Sequence, residues 1–239
     1  MKNFLISIFQ YLAAWLQGPV RPVVDDRVKD DAPPEPNTKV VEPNIAPTFD
    51  DIAATRWYMT PAMKNFLAMI RLHEAGRAGY NADYANDDRW TLTNKTFDEV
   101  YTLSRKQVVV DREASSAVGA YQFLSKTLMS LKLSLGLTGN EIFDVQFQDD
   151  LAVALMIRRG LMDFLRGDRA LTSFCNQLAR EWASLPVVTD VKRGSRVVLK
   201  GRSYYAGDGL NKSFHKPEAI LEAVKDLRLS LAGTLPKET

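Results

Sequence analysis

Few residues in this sequence have a type and position suited to chemistry. The one cysteine, Cys175, falls on the apolar stripe Leu171, Phe174, Cys175, Leu178, so it reads as a buried packing residue. With that single cysteine and two histidines there is no ligand set for a zinc cage, and no metal or cofactor is expected. No Gly-x-Ser-x-Gly nucleophile turn and no phosphate-cradling glycine loop occurs. What remains is a carboxyl at a helix end. Glu74 follows an apolar helical run and stands two residues before Gly76. The partial negative charge of a helix C-terminus and apolar surroundings both disfavour a carboxylate anion there. A carboxyl held partly protonated near neutral pH can act as a general acid. Local charge alone does not single this one out, because many helix-end glutamates simply face solvent. Asp83, Asp87, Asp88, Asp111 and Glu113 are candidates for a second carboxylate, but their polar, aperiodic surroundings read as a solvated loop. His73 adjoins Glu74, yet consecutive helix residues do not share a face, so it reads as structural or solvent-facing.

The elements that must position Glu74 are mostly helices. Thr60-Pro61 is an N-cap with proline at the first helical position, followed by Met63, Phe66, Leu67 and Ile70 at helical spacing and by the Gly76 stop. Thr96 with Glu99 forms a capping box that starts a second helix through about Val108. Leu128, Leu131 and Leu135 mark a third, closed by Gly136. A long fourth is expected over about 146–166 with Leu151, Ala154, Leu155, Met162 and Leu165 inward; Gly160 inside it is a place for close packing or a kink. A fifth runs from Leu171 through Trp182 and Leu185 to the Pro186 stop, with Trp182 read as core. Pro217 opens the last, with Ile220, Leu221, Val224, Leu227 and Leu231 inward. Residues 187–199 read as a short β-hairpin around Arg193-Gly194-Ser195, and 80–95 as a polar loop with room for a small strand. The fold class is therefore α+β, mainly α: a helical domain with a small β-hairpin region.

The 239 residues divide unevenly. Seven of the eleven prolines fall before residue 50. Residues 1–17 are apolar with Lys2 as the one charge. As a helix, Asn3–Gln17 would span about 22 Å at ~1.5 Å per residue, short of a bilayer core of about 30 Å. Three readings stay open for it: a weak anchor or uncleaved export signal, a cleaved signal, and an amphipathic docking helix. Residues 18–50 hold four basic and seven acidic side chains and too little apolar surface to fold, so a disordered acidic linker is expected. Residues 51–239, periodic with scattered charge, are expected to form the folded domain. The total charge of +2 gives no field for a nucleic-acid partner. The basic run Lys192, Arg193, Arg196, Lys200, Arg202 reads as a solvated hairpin that could attract an anionic polymer.

One ordered set of motifs goes further. Leu72-His73-Glu74-Ala75-Gly76 and Gly79-Tyr80 are followed by Gly119-Ala120-Tyr121-Gln122-Phe123 and Phe147-Gln148-Asp149. Then come Glu181-Trp182-Ala183-Ser184-Leu185-Pro186 and Ser203-Tyr204-Tyr205-Ala206-Gly207-Asp208-Gly209. In that order they resemble the phage-lambda lysozyme family, glycoside hydrolase family 104, and its phage endolysin relatives, over about residues 60–228. The resemblance implies a lysozyme-like fold and cleavage of the β-1,4 bond between MurNAc and GlcNAc in bacterial peptidoglycan, leading to host lysis. It implies a lytic transglycosylase, with Glu74 as the one acid and base. Tyr121 and Gln122 match the cleft-lining pair of the family: a ring to support a sugar face and an amide to donate to an N-acetyl carbonyl. Tyr80, Tyr204 and Tyr205 are further substrate-binding candidates.

The alternatives are a hydrolytic muramidase of the same fold, which needs a second carboxylate, and a virion-associated wall-binding protein without activity. The loop between Gly79 and Gly119 departs from the lambda pattern. The N-terminal 50 residues have no counterpart in a plain lambda-type enzyme. They suggest export to the host periplasm with a tether to the inner membrane before release, or docking in the virion. A monomer with peptidoglycan as its partner is expected.

Overall fold

The computed structural model describes residues 56–207 and 211–231. The expected apolar helix, the acidic linker, and Asp208 and Gly209 lie outside the described residues. Seven α-helices and one two-stranded sheet are seen among the described residues: α1 (Pro61–Glu74), α2 (Phe97–Val109), α3 (Ser125–Leu135), α4 (Val145–Arg158), α5 (Leu161–Arg166), α6 (Leu171–Leu178), β1 (Val191–Arg193), β2 (Arg196–Val198) and α7 (Pro217–Leu231). The architecture is α+β and mainly α.

The helix ends follow their local chemistry. The Thr60 hydroxyl accepts from the Met63 N–H at 3.3 Å, and α1 buries Met63, Phe66, Leu67 and Ile70. The Thr96–Glu99 capping box is complete: each side chain accepts from the other residue's backbone N–H. Gly136 closes α3 in the left-handed conformation. β1 and β2 pair antiparallel across Gly194-Ser195, with Val191 opposite Val198. The expected small strand within 80–95 is replaced by two single 3-10 turns, Gly79–Asn81 and Leu92–Asn94.

The centre of the domain is α4. Ten consecutive residues, Phe147 to Met156, are buried, so every face of this helix meets protein. The spacing rule had picked out only Leu151, Ala154 and Leu155 here, because it looks for one stripe. Around it α1 packs on α7, α6 on α7, and α2 on α3.

Two expectations on length are corrected. The single helix over 146–166 is two, broken at Gly160, whose φ of 93° and ψ of 32° leave the right-handed region. Gly160 accepts from Phe164 and so starts α5, while its own N–H goes back to Ile157. The fifth helix ends at Leu178 rather than near Leu185. Trp182 and Leu185 are still buried, so their spacing marked the core correctly but not the conformation. After Leu178 the backbone tightens, the Arg180 N–H going to the Gln177 carbonyl and the Glu181 N–H to the Leu178 carbonyl, and the Ser184 N–H donates to Glu74.

Gly160→Ala is expected to lower the unfolding free energy by about 1–2 kcal/mol, the cost of a left-handed alanine. The added Cβ would also lie 2.4 Å from Arg169 Nε. Urea unfolding of the two proteins measures this.

Candidate active site

Glu74 is the last residue of α1 and is partly buried. Its Oε1 accepts the backbone N–H of Ser184 at 3.1 Å. Burial pushes its carboxyl above the usual glutamate value, and the hydrogen bonds from Ser184 pull it back only in part. The end of α1 adds to the upward push, since a helix C-terminus is negative. Ser184 is buried, and its hydroxyl lies beside this carboxyl.

Two segments, the Gly119–Gln122 loop and the turn at Tyr80, are fixed by α4. Val118 and Phe123 pair across the loop, exchanging two backbone hydrogen bonds of 3.1 and 2.8 Å. Gln148, fully buried, accepts the Ala120 N–H at 2.9 Å and donates to the carbonyls of Tyr80 and Phe143 at 3.0 Å each. Gly119 must be glycine: its φ is 75°, and a Cβ would stand 2.5 Å from Gln148 Oε1. Asp149, the next residue, accepts from the hydroxyls of Tyr80 at 2.9 Å and Tyr121 at 2.5 Å. Arg71, three residues before Glu74, donates to Tyr121 Oη at 3.0 Å, lies 3.6 Å from Asp149 Oδ1 and covers the Tyr80 ring at 5.1 Å. Burial and the Asp149 carboxylate push both phenols well above the usual tyrosine value, so they stay protonated as donors.

The residues named by the motifs are thus brought together in two groups. Glu74, Tyr80 and Tyr121 are linked through α1, Arg71 and Asp149. Tyr121, Gln122 and Tyr205 line one cavity of about 160 Å³ beside Trp182. The Tyr121 ring is buried, at 2% exposure, so it presents no open face to a sugar and works through its hydroxyl. The Gln122 amide N–H2 lies 3.2 Å from the carbonyls of both Asp83 and Gly119. Tyr204 is buried under Arg180 and Arg193, and the Tyr205 hydroxyl donates to the Arg180 carbonyl at 2.6 Å.

The remaining candidates have structural duties. His73 stacks on Phe214 at 5.0 Å and meets the edge of His215 at 4.5 Å. Cys175 is buried, which pushes its thiol up to about 12. Asp83 is not a solvated loop charge: it is 1% exposed, pairs with Arg89 Nε at 2.5 Å and accepts the N–H groups of Ala85 and Asp87. It organises the loop that meets Gln122. No group of three or more potential metal ligands is found among the described residues. Sequence reasoning gave no role to Arg71, Gln148, Asp149 or Ser184. Gln148 and Asp149 stood in a quoted motif, but the signal that exposes their work, their burial on every side of α4, needs the fold.

The domain is mainly helical, with a desolvated carboxyl at the end of α1. The family model described as Endolysin matches residues 64–209, and the chain belongs to that family, phage enzymes that degrade the bacterial cell wall. No curated protein and no solved structure matches the chain.

Two measurements check this geometry. Gln148→Leu leaves three buried backbone groups unpaired, at about 1–3 kcal/mol each, so urea unfolding should show a loss of at least about 3 kcal/mol. Glu74→Gln should stabilise the protein increasingly as pH rises. The folded chain holds the Glu74 proton to a higher pH than the unfolded chain, whose carboxyl titrates near 4.5. Wild-type stability is therefore lost as pH rises through the folded value, whereas glutamine has no proton to lose. The difference in Tm between variant and wild type should be small below pH 4.5 and grow above it; a pH-independent difference would contradict the assignment.

Proposed function

We propose that the chain cleaves the β-1,4 bond between MurNAc and GlcNAc as a lytic transglycosylase, with Glu74 as both acid and base. The protonated Glu74 carboxyl gives its proton to the bridging oxygen as the bond to C1 of MurNAc breaks. Positive charge is shared between C1 and the ring oxygen. The 6-hydroxyl of the same sugar attacks C1, and the Glu74 carboxylate takes the hydroxyl proton. Bond breaking and ring closure balance without water, leaving a 1,6-anhydro end and a regenerated acid.

The observation that carries this reading is the desolvated Glu74 carboxyl. The raised proton affinity suits a group that must donate near neutral pH. A hydrolase would need a second carboxylate at about 5–5.5 Å or ~6.5–9.5 Å to bind the sugar or activate water. The other buried carboxylates are committed elsewhere. Asp83 pairs with Arg89, Asp149 takes two tyrosine hydroxyls, Asp150 takes the Tyr58 hydroxyl and lies 3.7 Å from Arg56, and Glu181 holds two arginines. That pattern supports the single-carboxylate route over a muramidase. In this reading Tyr80 and Tyr121 hold the cleft wall through Asp149, and Tyr205 with Gln122 borders the substrate.

Mass spectrometry of muropeptides from purified cell wall tests it. The wild type should release products lighter than hydrolysed ones by one water. Glu74→Gln should lower release by about 10²–10⁴-fold, the usual scale for a general acid. Products with a reducing MurNAc end would instead favour the muramidase.

A further inference from the structure

The cavity beside Trp182 has a composition that an uncharged glycan does not need. Three arginines, Arg158, Arg159 and Arg180, and one carboxylate, Glu181, line its volume of about 160 Å³. Arg158 is the last residue of α4 and Arg159 its cap, where the helix carbonyls favour cations. Both grip Glu181, Arg158 through Nη2 at 3.1 Å and Arg159 through Nε at 2.8 Å. The Glu181 side chain is 7% exposed, so the three groups form one preorganised cluster. The Arg180 guanidinium lies over the Tyr204 ring at 5.0 Å, and its carbonyl is pinned by Tyr205. Each guanidinium carries about five N–H donors in a planar fork that matches a carboxylate.

The cavity stands next to the groups that hold the catalytic acid. Tyr121 borders it and accepts from Arg71, one helical turn before Glu74. Trp182 borders it, and Ser184, two residues on, donates to Glu74. Its volume is below the ~300–1,000 Å³ of sites that enclose a drug-sized ligand, so it takes an end group rather than a whole sugar. Peptidoglycan differs from plain glycans in the peptide stem hung on the lactyl group of MurNAc, and that stem carries free carboxylates. Resting on the glycosidase reading above, we infer that this arginine-lined cavity is a subsite for a carboxylate of the peptide stem, so that the enzyme selects stem-bearing strands.

The test uses the full chain, two glycan substrates and one free ligand. Strands with intact stems and the same strands stripped by an amidase are compared by kcat/KM. The wild type should prefer stem-bearing strands. Arg158→Gln and Arg180→Gln should each cut that preference by about tenfold, the scale of one lost charge-assisted hydrogen bond, with the rate on stripped strands unchanged. Glu181→Gln removes the internal competitor and should increase the preference. The ratio of the two rates does not depend on how much enzyme is folded, and destabilisation cannot move it in opposite directions. A ratio unchanged in both arginine variants, or no preference in the wild type, overturns the inference. Calorimetric titration of the free stem tetrapeptide needs no cleavage, so it separates the two claims. Binding weakened by Arg158→Gln upholds the subsite even if neither strand is cut, and absence of peptide binding in the wild type counts against it.

Discussion

Three consecutive polar residues, Gln148, Asp149 and Asp150, lie inside the core on a helix that protein surrounds on all sides. A buried polar group without a partner costs about 1–3 kcal/mol, and a buried charge more. Each of the three must therefore draw hydrogen-bond partners onto α4. Gln148 takes Ala120, Tyr80 and Phe143; Asp149 takes Tyr80, Tyr121 and Arg71; Asp150 takes Tyr58, Gln146 and Arg56. Burial pushes the Asp150 carboxyl up to about 6, with Arg56 opposing. The layout of the site follows from satisfying these side chains: the end of α1, the Tyr80 turn and the Gly119–Gln122 loop have their places because α4 needs their donors and acceptors.

Glu74 stands in contrast to that network. The other buried carboxylates receive tyrosine or arginine donors, whereas among the described residues Glu74 receives its hydrogen bonds from Ser184. That is too little to offset burial at the negative end of α1, so its proton affinity stays raised.

Much of the fold was legible because caps and stops are local. Thr60-Pro61, the Thr96–Glu99 box, Gly136 and the Gly194-Ser195 turn each act through a few neighbouring bonds, and each appears as read. Lengths were harder. Apolar spacing reports which side chains are buried, so it ran through Gly160 and past Leu178, where burial continues but the backbone turns. In the site, Glu74 was legible as a helix-end acid and the motif order pointed to its family. The supporting groups were not, since Asp149 meets Arg71, Tyr80 and Tyr121 across 78, 69 and 28 residues of sequence. Asp83 was hidden for the opposite reason: a polar loop looks solvated until its Arg89 and backbone partners are seen.

An acid role for Glu74 requires a raised proton affinity of its carboxyl. Its titration can be followed by carbon NMR of selectively labelled glutamate side chains, with Glu74→Gln identifying the resonance. A midpoint clearly above 4.5, the usual glutamate value, is predicted. A midpoint at or below that value would mean that the carboxyl is an ordinary ionised surface group at neutral pH, and would contradict its role as the acid.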